Sequence, residues 1–168
     1  HMVKDVLGNP SHEGEHCYFS IPAAPVDANM DVVYHKGVFT RIVQECGYTA
    51  HPANEAMAIV FAETAKEGFS GVGISFGSGM TNIALAISTI EGLSFSVARG
   101  GDWVDANVAA DCGCSIAKVI AIKENSQLLD LTKSAVNDIY QEGSDEYNII
   151  NAIRSYYGAL INYLLTNL

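Results

Sequence analysis

Positive charge is what this chain has least of. Nine Lys and Arg stand against 19 Asp and Glu, a formal net charge of -10, and charged residues make up only 17% of the 168 positions. A nucleic-acid groove needs a basic stripe, and an anionic membrane surface attracts the same feature, so the composition argues against both partners. It leaves ATP open, because a nucleotide site needs only local donors and a metal ion. Long apolar runs are missing too: none reaches the roughly 20 residues of a membrane-spanning helix, and no secretory leader pattern is seen, so a cytoplasmic protein is expected. His1-Met2 reads as the remnant of a cleaved tag. The four cysteines, Cys17, Cys46, Cys112 and Cys114, lack the paired spacing of a zinc site. Cys112-Gly113-Cys114 is short for a disulfide and has no histidine nearby in sequence, so reduced structural thiols are expected.

What is present is core-forming material. Hydrophobic residues make up 49%, enough for one ordinary domain or two small halves. Residues 3–14 read as a polar loop. A strand lies within 15–25 and ends at Pro22. Val33, Val38, Ile42 and Val43 recur at helical spacing over 32–46, and Gly47 stops that helix. Residues 48–51 read as a short strand, and Pro52 suits the first turn of a helix that runs to Gly68. Three strand runs follow, 70–76, 81–88 and 92–98, in which Ile83, Leu85 and Ile87 alternate with Asn82, Ala84 and Ala86 as in an antiparallel meander. Residues 100–113 turn into a helix, 115–125 form another, and 126–143 read as a connection with helical turns. The longest helix spans 145–168, with Ile149, Ile153, Tyr157, Leu160 and Leu164 on one stripe. Strand–helix–strand followed by a meander makes a mixed α/β fold, in one sheet or parts of two.

The turn at Gly77-Ser78-Gly79 has two readings. Glycine is needed where φ is positive, and glycine lets backbone N–H groups close on a phosphate. Four stretches in order favour the second: GISFGSGMTNIAL (73–85), VARGGDWVDANVA (97–109), PANEAMAIVFAE (52–63) and AKVIAIKEN (117–125). Together they resemble the actin-like ATPase superfamily, most nearly the prokaryotic filament proteins of the MreB, FtsA and ParM kind. The resemblance implies a ribonuclease-H-like fold with incomplete halves: 3–68 as the late part of a first half, 69–168 as the early part of a second. The first phosphate loop would then lie before residue 3 and the adenosine motif after residue 168, as expected for a central fragment of a longer protein or, alternatively, a naturally minimal relative.

The same resemblance implies site residues. Gly77, Ser78, Gly79, Met80 and Thr81 match the second phosphate loop, commonly D-x-G-x-G-x-T. Gly100, Gly101 and Asp102 match the strand-to-helix turn beside the nucleotide, where Asp102 could equally be a plain N-cap. Lys123 and Glu124 match a ribose-contacting pair, or else an exposed helix end. Glu55 matches the residue that orients the attacking water, or else a first-turn glutamate stabilised by its helix N-terminus. Ser75 departs from the pattern: the family usually has Asp there to hold hydrated Mg²⁺. The implied function is ATP binding with Mg²⁺ and hydrolysis in the intact parent, with ATP binding weak or absent and no hydrolysis expected in this chain alone, and with self-association as a homodimer or filament. The alternatives are a non-catalytic scaffold on the same fold and a sugar-kinase-like enzyme. Open sheet edges must be paired, either by joining the strands into one five-stranded sheet or, the preferred outcome, by exchange between two chains.

Overall fold

The computed structural model describes residues 2–29, 32–125 and 140–168. The expected connection over 126–143 falls mostly on residues outside that set. The described residues form a mixed α/β fold with one parallel and one antiparallel sheet. They fall into two compact units: residues 1–76 with 81–98, and residues 77–80 with 99–168. The units therefore do not divide at residue 68. The physical reason is that the helix before residue 68 packs on the meander after it.

In the first unit, helix α1 (Met2–Leu7) precedes strand β1 (His16–Ile21), helix α2 (Val32–Glu45) and strand β2 (Thr49–Asn54). β1 and β2 pair in parallel, His16 against Thr49 through Ile21 against Asn54. Pro52 thus sits inside β2, opposite Phe19, and not in a helix. β2 has β1 as its neighbour in a two-stranded sheet, and a residue with no N–H is tolerated on such an edge. Helix α3 (Glu55–Glu63) starts only after Asn54, whose side chain accepts hydrogen bonds from the amides of Ala56 (2.9 Å) and Met57 (3.2 Å). A short 3₁₀ turn, Ala65–Glu67, carries the chain to Gly68, which is left-handed at φ 64°.

The meander is β3 (Gly71–Phe76), β4 (Thr81–Ile87) and β5 (Ile90–Val97). Its register explains how α3 docks. Gly71 faces Ala86, Gly73 faces Ala84 and Ser75 faces Asn82, so alternation puts every small residue of the two strands on one face. α3 packs on that face, with Ala56, Met57 and Val60 against Ala84 and Ala86. The approach is backbone to backbone: a Cβ on Gly73 would lie 2.2 Å from the Ala56 carbonyl oxygen. The other face of β4 carries Ile83, fully buried, whose burial is worth about 1.5–3 kcal/mol.

The two sheets are neither one continuous five-stranded sheet nor two isolated halves. Beyond β1 the chain runs beside β5. The Ser96 amide donates to the Ala24 carbonyl (3.1 Å) and the Val26 amide to the Ser96 carbonyl (2.9 Å), a single parallel bridge at Pro25. The Ser96 hydroxyl donates to the Ala23 carbonyl and the Ala98 amide to the Asp27 carboxylate. This segment covers part of an edge that β5 would otherwise expose.

The second unit is helical: α4 (Gly101–Asp111), α5 (Ile116–Asn125) and α6 (Asp145–Thr166). Val104, Val108 and Ala109 of α4, Val119 of α5, and Ile149 and Ile153 of α6 form its core. Ser144 caps α6 by accepting from the Tyr147 amide. Of the expected α6 stripe, Ile149, Ile153, Leu160 and Leu164 are buried and Tyr157 is half-buried.

Two alanine substitutions should move stability in opposite directions. Gly73→Ala drives a Cβ into the α3 backbone and should cost about 1–3 kcal/mol or more. Gly158→Ala, inside α6 where a Cβ meets nothing within 4 Å, should add about 0.5–1 kcal/mol. Urea denaturation of both variants beside the parent chain checks the pair. A neutral Gly73→Ala would contradict the close approach.

Candidate functional site

In the first unit, the small-residue face sets the chemistry around Glu55. As the first residue of α3, Glu55 is brought onto the face shared by Ser75 and Asn82. The Ser75 hydroxyl donates to Glu55 Oε1 at 2.6 Å and Asn82 Nδ2 donates to Oε2 at 3.1 Å. Asn82 is 3% exposed, and its Oδ1 accepts the Ala23 amide at 3.1 Å. A carboxylate has about four lone-pair sites, so two neutral donors hold Glu55 and leave it acceptor capacity. Asn82 was not singled out from sequence. Its signal was available: it shares the alternation that groups Gly73, Ser75 and Ala84. Thr81, at the start of β4, is fully buried.

In the second unit, residues 77–80 lie at the N-terminus of α4. The Gly101 amide donates to the Gly77 carbonyl (2.9 Å) and the Asp102 amide to the Ser78 carbonyl (2.8 Å). Residue 100 allows this: a Cβ there would lie 2.4 and 2.5 Å from those two carbonyl oxygens. Gly100 is the N-cap and makes no side-chain cap bond. Asp102 is therefore a first-turn residue and not the cap, because hairpin carbonyls supply the acceptors that a capping side chain would bring.

The glycines of the hairpin tip are not there for positive φ, since neither Gly77 nor Gly79 adopts it. Gly77 donates its amide to the Met80 carbonyl at 2.8 Å, and a Cβ on it would lie 2.9 Å from that oxygen. Gly79 has nothing within 4 Å of a Cβ. Among the described residues no protein acceptor takes the amides of Ser78, Gly79 or Met80. Three successive amides without a protein acceptor are the raw material of an anion nest.

Lys123 is also in this unit. Its ammonium lies 2.7 and 2.5 Å from the two carboxylate oxygens of Asp105, a residue 2% exposed in the middle of α4. Glu124, the next residue, is exposed. The structure thus brings Gly77, Ser78, Gly100, Gly101, Asp102 and Lys123 into one unit, with Glu55, Ser75 and Thr81 in the other. Among the described residues no three His, Cys, Asp or Glu side chains are grouped to hold a metal ion.

The Asp105–Lys123 pair predicts an asymmetric mutational response. Lys123→Met strands a buried carboxylate and should cost about 3–5 kcal/mol. The double variant Asp105→Leu/Lys123→Met removes both charges and should recover most of that loss. Thermal unfolding of the single and double variants checks it. Equal destabilisation by both would contradict the pairing.

No curated protein matches the chain. Among solved structures, it is similar to the ethanolamine utilization protein EutJ from Carboxydothermus hydrogenoformans, at 18% identity and a TM-score of 0.47. That likeness covers 68% of this chain and 39% of EutJ, so the chain spans about two fifths of that protein's length. No described helix is long and apolar enough to cross a membrane. The Volactin family model matches residues 1–168, the full length, and the chain belongs to the Volactin family.

Proposed function

We propose that this chain is an actin-like nucleotide-binding domain whose hairpin tip, residues 77–80, receives the phosphates of ATP. The observation that carries the reading is the set of amides at Ser78, Gly79 and Met80, which have no acceptor among the described residues, beside a Gly79 with open space around it. The first two amides of α4 are already taken by the hairpin, so the loop and not the helix would do the phosphate binding. The donor set fits phosphate oxygens. It does not fit a protein-held Mg²⁺: Ser75 offers no anionic oxygen, and its hydroxyl proton goes to Glu55. A magnesium ion would be carried by the phosphates and water.

In this reading Glu55 orients the water that attacks the γ-phosphate in the intact parent, using the acceptor capacity left by Ser75 and Asn82. Positioning and charge neutralisation do most of the work in such a transfer. The Lys123 ammonium stays on Asp105, and Glu124 is the exposed member available to a ribose. Self-association belongs to the same proposal. An open apolar hollow of about 520 Å³, with Tyr18, Met57 and Phe61 in its wall, supports it. A non-catalytic scaffold is the second reading, and the Ser75–Glu55 hydrogen bond at the usual Asp position favours it.

The test uses Gly79. Gly79→Glu should leave stability unchanged, since the site is open, and should weaken ATP binding by the intact parent at least tenfold by placing a carboxylate at the nest. Amide spectra during ATP titration should shift Ser78, Gly79 and Met80 first. Binding unaffected by Gly79→Glu, or no shift at these amides, would overturn the phosphate assignment. Hydrolysis without an intact Glu55 would overturn its role.

A further inference from the structure

The end of α4 carries chemistry that the nucleotide reading does not use. Gly113 is left-handed at φ 63°. Its amide donates to the Ala110 carbonyl (3.3 Å) and the Cys114 amide to the Ala109 carbonyl (3.0 Å). These are the two bonds of a Schellman turn, with Cys112 at the helix cap and Cys114 two residues on. The sequence objection that C-G-C is too short for a disulfide weakens here. A chain reversed this tightly holds residues two apart within the Cα separation a disulfide spans, roughly 4.4–6.8 Å.

Both cysteines are half-buried free thiols, and both pack against the helical core. Both also line one cavity of about 500 Å³, with Asp111, Lys118, Asp145 and Asn148. The charged groups there are committed. Lys118 donates to Asp145 at 2.6 Å, which holds the ammonium above and the carboxyl below their ordinary ranges. Asp111 accepts from the Tyr156 hydroxyl at 2.5 Å. The two thiols are the nucleophiles of this cavity.

We propose that Cys112 and Cys114 form a dithiol site open to this cavity, one that exchanges with low-molecular-weight disulfides and captures thiophilic electrophiles through both sulfurs. Cys114 reacts first. Its thiolate attacks one sulfur of the small disulfide and expels one small thiolate, leaving a mixed disulfide. Cys112 then loses its proton to solvent, attacks the Cys114 sulfur and expels the second small thiolate. Two protein thiols are oxidised to one disulfide, and one small disulfide is reduced to two thiols, which take up the two protons. This order follows from environment: burial, then the neighbouring Cys114 and Asp111, push the Cys112 thiol up, so it is the later nucleophile. A ring this small is strained, which makes the bond easy to reduce.

Two measurements on the reduced full chain test the proposal. Incubation with glutathione disulfide should remove two hydrogens from the intact mass, with peptide mapping linking Cys112 to Cys114 and dithiothreitol reversing the change. Phenylarsine oxide should bind one to one. Cys112→Ser should abolish arsenical capture and leave a stable glutathione adduct on Cys114, while Cys17→Ser/Cys46→Ser should keep both behaviours. Stable glutathione adducts on both cysteines of the parent chain, unreacted thiols, or capture that survives Cys112→Ser would each overturn the site.

Discussion

The carbonyl oxygens of Gly77 and Ser78 cap the first two amides of α4, and that interaction exists only because residue 100 has no side chain. A helix start normally takes its acceptors from a capping side chain or from water. Here a hairpin tip provides them with its backbone. Spending the carbonyls on the helix leaves the amides of residues 78–80 for something else. α4, seated this way, then carries Asp105 to Lys123 and its apolar residues to the helical core. Any side chain at residue 100 would break the capping, so this glycine is read from close approach and not from φ.

The same physics operates in the other unit. Gly73 lets the α3 backbone lie against β3, and the small residues opposite it keep the groove open. α3 therefore starts where its first residue, Glu55, meets Ser75 and Asn82. The carboxylate is held by a hydroxyl and an amide, with no cation among its hydrogen-bond partners in the described residues. A serine at that position makes the cluster a neutral cradle for a carboxylate, where an aspartate would have made a like-charge pair. This is a physical reason for Ser75 and Glu55 to occur together.

Much of this was legible in the sequence because it was written in periodicity and glycine placement. The meander was visible in the alternation of Ile83, Leu85 and Ile87, and the α6 stripe in its helical spacing. Pro52 misled because a proline after a polar turn suits a helix start. The β1 pairing and the Asn54 cap outweighed that preference and held it in a strand. Asp102 looked like a cap because local sequence cannot show that hairpin carbonyls 24 residues earlier supply the acceptors. The Asp105–Lys123 pair joins two helices and left little local trace. A charged residue on an apolar helix face was its one available sign. The Schellman turn at Gly113 was hidden for the opposite reason: C-G-C invited a reading as cysteine spacing when the glycine was a helix end.

The hairpin cap and the nest it leaves behind are best tested together by amide hydrogen exchange, resolved residue by residue in the nucleotide-free chain. The account predicts strong protection at Gly101 and Asp102, whose amides the hairpin carbonyls accept, and fast exchange at Ser78, Gly79 and Met80. Fast exchange at Gly101 and Asp102, or protection at the three tip amides without any anion present, would contradict it.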